Sequence, residues 1–530
     1  MTLTCRWLLR LSGAAAVGAL AFAQAPADSP RVIYADLNHV RGPHSQVFRR
    51  CIGAGRANEG LRADWQRQLA LVQRDIGFEY IRMHGLLHDD MGVYQEDPQG
   101  NPIYNFQYID QLYDALLRLH IKPFVELGFM PSALASGKET IFWWRGNITP
   151  PKSYDKWAGL ITALVRHWEQ RYGVDELKTW YFEVWNEPDL KGGFYTGTLD
   201  DYLKFYRVTA EAIKKVNAAY RVGGPASAIP YRFEEALVAF CAREKVPIDF
   251  VSTHAYGVKE GFFDDTGHRG TVLDPDPGAV RDRMVHSREL IRKSPLPDLE
   301  LHFTEWSSAY TPTDPIHDQY HQAAFILDKI KGAQESVDSM SYWTFTDIFE
   351  EGGPRMTPFH GGFGLLNYQS IKKPAYYAFQ FLSRLGETEI ENGDKSSWAC
   401  TNRNGDIQVL LWDFSPISPP DNVNDQVYYK RNLPPPARPP VTVVLDHIAP
   451  GTYLQQVYYI GYRQNDAYTA YLDLGAPSQL TRAQAEAISA LASGAPAASQ
   501  LVPLSRGLDR YELHPHLAAN EVCLIVLRKL

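Results

Sequence analysis

The chain has 530 residues, 45% of them hydrophobic and 22% charged, and carries a net charge of −8 at neutral pH. That length asks for more than one domain, the composition is ordinary for a globular protein, and the acidic balance excludes a basic nucleic-acid footprint. Aromatic residues reach 12%, enough for a large core and for flat ring faces along a sugar site.

The N-terminus comes first. Arg6 and Arg10 precede an apolar, small-residue run from Leu11 to Ala23, and Ala21-Phe22-Ala23 and Ala23-Gln24-Ala25 each fit a small-x-small step. This predicts a signal peptide over 1–25, cleaved near Ala23 or Ala25, and an exported protein, periplasmic or secreted. The run is shorter than the roughly 20 residues a membrane span needs. No later stretch is long and apolar enough, so no membrane span is expected after cleavage. Cys5 leaves with the signal. Cys51, Cys241, Cys400 and Cys523 are far apart, lack metal-type spacing and read as buried free thiols.

Residues 26–45 read as a strand, Arg31 to Leu37, and a linker, with the strand joining a second sheet further along the chain. From 46 to 385, strand and helix signals alternate eight times. The strands are Cys51–Gly55, Tyr80–His84, Pro123–Gly128, Trp180–Trp185, Arg221–Gly224, Phe250–Ala255, Leu301–Glu305 and Ser341–Phe345. Between them, apolar residues recur at helical spacing. Trp65, Leu69, Val72 and Ile76 share one face, as do Trp157, Leu160, Ile161, Leu164, Val165 and Trp168 after an N-cap at Ser153. The alternation predicts an α/β fold, a (β/α)₈ TIM barrel. The rival, a doubly wound sheet, lacks a Gly-rich turn after its first strand. After Leu385 the helical period stops. Pro-rich turns separate β-rich runs at Asp406–Trp412, Val441–Leu445, Tyr453–Tyr459, Ala467–Leu472 and Glu521–Arg528. Residues 386–530 therefore read as a C-terminal β-sandwich, with a helix inserted at Arg482 to Leu491.

The chemistry lies at the strand ends. Thr179-Trp180-Tyr181-Phe182-Glu183-Val184-Trp185-Asn186-Glu187-Pro188 is a buried strand stopped by proline, which places Glu187 at its C-terminal end. Leu301-His302-Phe303-Thr304-Glu305-Trp306 gives Glu305 the same setting. Two carboxylates at the C-terminal mouth of one barrel are what glycosidic cleavage needs. One protonates the leaving oxygen and the other stabilises an oxocarbenium-like centre. Trp185 and Pro188 make an apolar setting for Glu187, suited to an acid. Arg82 and Tyr256 can keep Glu305 ionised. His84, His254, Trp343 and Asp347 also end barrel strands, with Phe129 as an apolar wall. Glu183 and Glu126 lie inside their strands. A metal site is not expected. His84 with His88, and His317 with His321, have His-x-x-x-His spacing, but neither pair meets the zinc-protease requirement of a helix with Glu after the first His. No cofactor is called for.

Trp185-Asn186-Glu187-Pro188 and Thr304-Glu305-Trp306 look like the acid/base and nucleophile signatures of (β/α)₈ retaining glycosidases. The segments 51–56 (CIGAGR), 80–90 (YIRMHGLLHDD), 342–347 (YWTFTD) and 359–366 (FHGGFGLL) resemble glycoside hydrolase family 39, which holds bacterial β-xylosidases and animal α-L-iduronidases. The resemblance implies Glu187 as acid/base and Glu305 as nucleophile. It implies His84, Asn186, His254, Tyr256 and Trp343 around the sugar, and an acidic sugar ligand at Glu350, with Glu351 beside it. The expected activity is removal of terminal β-xylosyl residues from an oligosaccharide. Other activities of the family are alternatives: α-L-arabinose-releasing, β-glucosidic or iduronidase-like. A carbohydrate-binding protein on a barrel scaffold is the non-enzyme alternative, and it needs neither glutamate. A homo-oligomer is left open.

Overall fold

The computed structural model describes residues 30–530 apart from 230, 264–268, 417–418, 421–422, 506 and 508. The expected signal peptide and Cys5 lie outside the described residues.

Two strands come first, β1 (Arg31–Asp36) and β2 (Val40–Pro43). The strand–helix units follow: β3 (Cys51–Arg56), α1 (Ala63–Asp75), β4 (Tyr80–His84), α2 (Gln107–Arg118), β5 (Lys122–Glu126), α3 (Tyr154–Tyr172), β6 (Tyr181–Glu183), α4 (Leu199–Val216), β7 (Arg221–Ser227), α5 (Arg232–Glu244) and β8 (Phe250–Tyr256). A hairpin of β9 (Val258–Phe263) and β10 (Arg269–Leu273) interrupts the series. It resumes with α6 (Ala279–Lys293), β11 (Glu300–Ser307), α7 (His321–Ala333), β12 (Ser339–Tyr342) and α8 (Pro374–Ser383). The eight barrel strands pair in parallel and close in sequence order. All eight predicted strands are present, as is the Ser153 cap, whose side chain accepts from Lys156 N–H. Trp65, Leu69, Val72 and Ile76 are all buried under the barrel wall. Cys51, Tyr80, Phe124, Tyr181 and Phe250 pack together near the strand starts and plug the end opposite the site.

Beyond the barrel lie β13 (Thr388–Ile390), β14 (Ser397–Thr401), β15 (Ile407–Trp412), β16 (Val441–Asp446), β17 (Gly451–Ile460), β18 (Ala498–Leu504), β19 (Arg510–Leu513) and β20 (Val522–Lys529). Seven strands form one sheet in the order β2-β13-β14-β15-β20-β17-β18, and β1-β16-β19 form a second. Side chains along a strand alternate between faces. Trp398, Leu410, Trp412 and Leu524 accordingly pack on the barrel. Ala399, Val409, Leu411 and Ile525 face the three-stranded sheet with Ile33, Val443 and Leu445. The N-terminal strand does join the second domain: β1 pairs β16 in parallel from Arg31↔Val441 to Asp36↔Asp446.

One predicted strand is a helix. Ala467–Asp473 forms α9, capped by Asp466, which accepts from Thr469 N–H at 3.1 Å. Tyr468 and Tyr471 fall on one side of it and both pack on Phe359. Thr and Tyr favour strands, but an Asx cap and an i, i+3 aromatic pair decide for helix here. The inserted helix, α10, is Arg482–Leu491 as predicted. The four described cysteines are free and buried.

Candidate active site

β6 ends at Glu183, and the next residues leave the barrel in a forced path. Trp185 and Glu187 have φ of 74° and 45°, in the left-handed region that side chains avoid. Glu187 N–H bonds Ala226 O at 2.9 Å, which ties the turn to the end of β7. Trp185 is buried and its indole N–H bonds Phe194 O at 2.9 Å. Strain of this kind persists only where the surroundings over-determine it, and it gathers at functional sites.

Glu187 and Glu305 flank one imidazole. His254 Nδ1 stands 2.7 Å from Glu187 Oε1 and 3.6 Å from Glu305 Oε2. One oxygen of each glutamate and a nitrogen of His254 all lie within 4.8 Å of one another. Their surroundings differ. Burial, then the negative charge of Glu305, pushes the Glu187 carboxyl well above its ordinary range. Burial, with Arg82 and His84 nearby, holds His254 well below its ordinary range. The imidazole is therefore neutral and brings no positive charge to ionise Glu187. Glu305 accepts two donors instead, Arg82 Nη1 at 2.7 Å and the Tyr256 hydroxyl at 2.6 Å.

Arg82 is wholly buried and fully engaged. Beyond Glu305 it meets Glu183 at 2.5 Å, Asn186 Oδ1 at 2.7 Å and Glu126 at 3.0 Å. A guanidinium has donors enough for this fork, and breaking it would strand buried charge. His84 bonds Glu126 through Nδ1 at 2.6 Å and turns Nε2 toward Glu305, 3.5 Å away. Burial opposes its charged form, but Glu126 and Glu305 win and His84 is held above its ordinary range. Trp343 stacks obliquely against His84 with centroids 4.8 Å apart and lies under the Arg82 guanidinium at 5.8 Å. Phe129, Phe142 and Phe194 surround the same imidazole at 6.1, 6.1 and 6.3 Å.

The structure thus brings together Glu187, Glu305, His84, Asn186, His254, Tyr256, Trp343, Phe129 and Arg82. Glu350 is not among them. Its carboxylate turns outward to Arg62 at 2.7 Å and Arg56 at 3.5 Å. Glu351 faces inward, 3.8 Å from His84 Nε2, and burial raises it to about 8, with Glu305 adding to the rise. The acidic residue at the site is therefore Glu351, because successive side chains in this turn point opposite ways and Arg62 and Arg56 claim the first. Asp347 is also elsewhere, holding Gly364 N–H at 2.6 Å and Lys373 at 3.2 Å. Glu126 and Glu183, read from the sequence as lying inside their strands, stand behind the site, where they orient His84 and Arg82. Phe194 had no signal in the sequence.

Glu187, His254 and Glu305 are also the kind of trio that can hold a metal ion. Here His254 and Glu187 pair with each other, and Glu305 takes Arg82 on one oxygen and the Tyr256 hydroxyl on the other. His317 is spent on Gly361 O and Ala309 O at 2.9 and 3.2 Å.

A closed parallel barrel with two unlike carboxyls at its C-terminal mouth defines a glycoside hydrolase. The family model for glycosyl hydrolases family 39 matches residues 32–505, and the chain belongs to that family. It is 44% identical over 378 residues to a β-xylosidase of Geobacillus stearothermophilus, covering 69% of this chain and 73% of that protein. It is 45% identical over 396 residues to a β-xylosidase of Caldicellulosiruptor saccharolyticus, covering 73% and 80%. Among solved structures, the GH39 enzyme from Xanthomonas axonopodis pv. citri superposes with a TM-score of 0.91 at 39% identity, over 95% of this chain and 98% of that one. A monomeric β-xylosidase from Caulobacter crescentus CB15 gives 0.89 at 40%, over 94% and 100%.

Proposed function

We propose that the protein is an exported, retaining exo-β-xylosidase that removes terminal xylosyl residues from xylo-oligosaccharides by double displacement. The observation that supports the mechanism is the closeness of Glu187 and Glu305, one oxygen of each lying within 4.8 Å of the other. Retaining pairs stand about 5–5.5 Å apart, whereas inverting pairs need roughly 6.5–9.5 Å to admit a water. Glu305, backed by Arg82 and Tyr256, attacks the anomeric carbon and leaves a glycosyl-enzyme. Glu187, protonated in its buried setting, gives its proton to the departing oxygen. It then takes a proton from the water that releases the sugar. His84, Asn186 and Glu351 offer polar partners to sugar hydroxyls, and Trp343 offers a ring face. The names of the relatives at 44% and 45% identity support xylose as the sugar. Export rests on Arg6, Arg10 and the run Leu11 to Ala23. Mature mass after expression with the leader should correspond to cleavage near Ala23 or Ala25.

The test is proton NMR of the first sugar formed from an aryl β-xyloside. The β-anomer should appear first and mutarotate afterwards. Initial release of the α-anomer would rule out retention, and no turnover across a panel of aryl glycosides would favour a binding protein.

A further inference from the structure

We propose that a cleft between the barrel and the second domain is a second, non-catalytic site for a short neutral oligosaccharide. Its volume is about 840 Å³, inside the range of small-molecule sites. It opens just outside the catalytic mouth. Gly257 follows Tyr256 at the end of β8, and Ser308 follows β11, and both line it. The catalytic glutamates, His254 and Tyr256 do not. The far wall comes from the second domain: Phe414, Pro416, Pro419, Pro420 and Asn520.

Polar atoms of three buried side chains on the barrel wall lack hydrogen-bond partners. His321, at the start of α7, has neither ring nitrogen hydrogen-bonded. Ser308 Oγ and Gln322 Oε1 are buried and unpartnered as well. Leaving such groups without a partner is costly. A molecule rich in hydroxyls offers donors and acceptors to all three. Burial holds the His321 imidazole at about 3, so it is neutral and asks for a neutral partner. The charges in the wall are already used or lie at the rim. Lys329 donates to Asp328 at 2.9 Å and to Pro277 O. Asp425 accepts from Leu273 N–H at 2.7 Å, and Asp274 accepts from Asp276 N–H at 3.0 Å. Lys259, Glu260 and Asp276 are exposed. The acidic residues outnumber the basic ones, which disfavours an anion. Across from the polar groups stand Phe414 and the prolines, and Phe414 meets Phe325 of α7 edge to face at 5.8 Å, with the Lys329 ammonium 4.2 Å from the Phe414 ring centre. Neutral hydroxyl-binding groups facing an apolar aromatic wall match the two kinds of surface on a pyranose chain. The choice of xylose units rests on the proposed function, while the site itself does not.

Isothermal titration of Glu305→Ala enzyme with xylotriose tests this. Two binding events are expected. Adding Ala279→Trp, which puts an indole into the cleft from the half-buried first residue of α6, should remove one of them. Phe414→Ala, a second route to the same result, should weaken that event at least about tenfold. In the otherwise unsubstituted enzyme, neither change should alter kcat/KM for an aryl β-xyloside. A single event unaffected by both substitutions would overturn the second site and leave the hydrolase reading intact. Turnover of the aryl xyloside by the unsubstituted enzyme reports on that reading separately.

Discussion

Glu187 and Glu305 are the same residue type beside the same imidazole, and their neighbours separate them. Removing each should therefore fail differently. Glu305→Ala should lose turnover on every substrate, whatever the leaving group. Glu187→Ala should keep its first step with dinitrophenyl β-xyloside, which hardly needs a proton, and stall at the second. Glycosyl-enzyme should then accumulate and apparent KM should fall. With a poor leaving group the loss should be about 10²–10⁴-fold, the usual worth of acid–base help. Azide needs no base and should rescue Glu187→Ala with a β-xylosyl azide. Rescue of Glu305→Ala with the same anomer would reverse the roles. Glu351 gives a second prediction. Its proton is held to about 8 in the fold, against roughly 4.3 for an ordinary Glu. Between those values the folded state binds more protons than the unfolded one, so wild-type stability falls as pH rises. Glu351→Gln removes that slope, and its Tm relative to wild type should climb from pH 5 to pH 8. Ionised Glu351 also raises Glu187. The variant's alkaline limb of kcat/KM should accordingly move to lower pH, and coincident profiles would show that Glu351 does not act on Glu187. At this scale the sequence exposed both catalytic candidates, because each ends a buried strand. It could not choose between Glu350 and Glu351, since a turn has no period to say which side chain faces in. It set Glu183 and Glu126 apart as lying inside their strands, but their partners depend on where one guanidinium and one imidazole reach.

Specificity belongs to the elements at the mouth. The segment 130–150 is stiffened by a short ribbon pairing Thr140–Ile141 with Gly146–Asn147. It meets the segment 348–367 through Trp143 N–H, which bonds Glu351 O at 2.7 Å. The side chain of Trp143 lies against Gly353, where an added Cβ would stand 3.4 Å from its ring. Phe142, next in line, reaches the ring cluster around His84. We propose that this bridge between the two loops blocks one end of the site, so that a chain enters by its terminus. Digestion of a long xylan should release monosaccharide alone at early times, read by chromatography. Early mixed mid-size fragments would mean an open cleft. The sequence displays Phe142, Trp143 and Trp144 in the first of these loops, but not the hydrogen bond between the two. It joins backbone atoms, which carry no residue signature. The barrel elements were legible for the opposite reason. Their strands are buried on both faces and read as unbroken apolar runs, and their helices repeat at 3.6. Helix α9 was missed because its residues favour strands and only Asp466, just before it, argued otherwise.

At the scale of the molecule, the described residues begin and end in the same domain. Arg31 reaches Asp394 with two bonds of 2.9 and 2.6 Å and also holds Trp412 O and Ser396 O. β2 then pairs with β13, and only after that does the chain enter the barrel at Cys51. The second domain therefore takes an edge strand for each of its two sheets from residues 31–43. A weak alternation at Arg31 to Leu37 marked the strand, but a parallel partner some four hundred residues away has no local signal. The consequence is testable at Ile33, which is fully buried between the two sheets with Val443 and Leu445. Ile33→Ala removes three carbons from a packed interior and should cost about 2–5 kcal/mol. The loss should fall on the second domain, since Ile33 touches the core shared by the two sheets and not the barrel. Guanidinium unfolding should then show an early phase in the variant. Intrinsic fluorescence reports that phase through Trp398 and Trp412, which sit on the face of the large sheet that meets the barrel. Aryl β-xyloside kinetics below that phase should match wild type, because every group around Glu187 and Glu305 belongs to the barrel and its loops. A single unfolding transition shifted as a whole would mean that barrel and sandwich unfold as one unit. An unchanged midpoint would mean that β1 contributes nothing to holding the second domain closed.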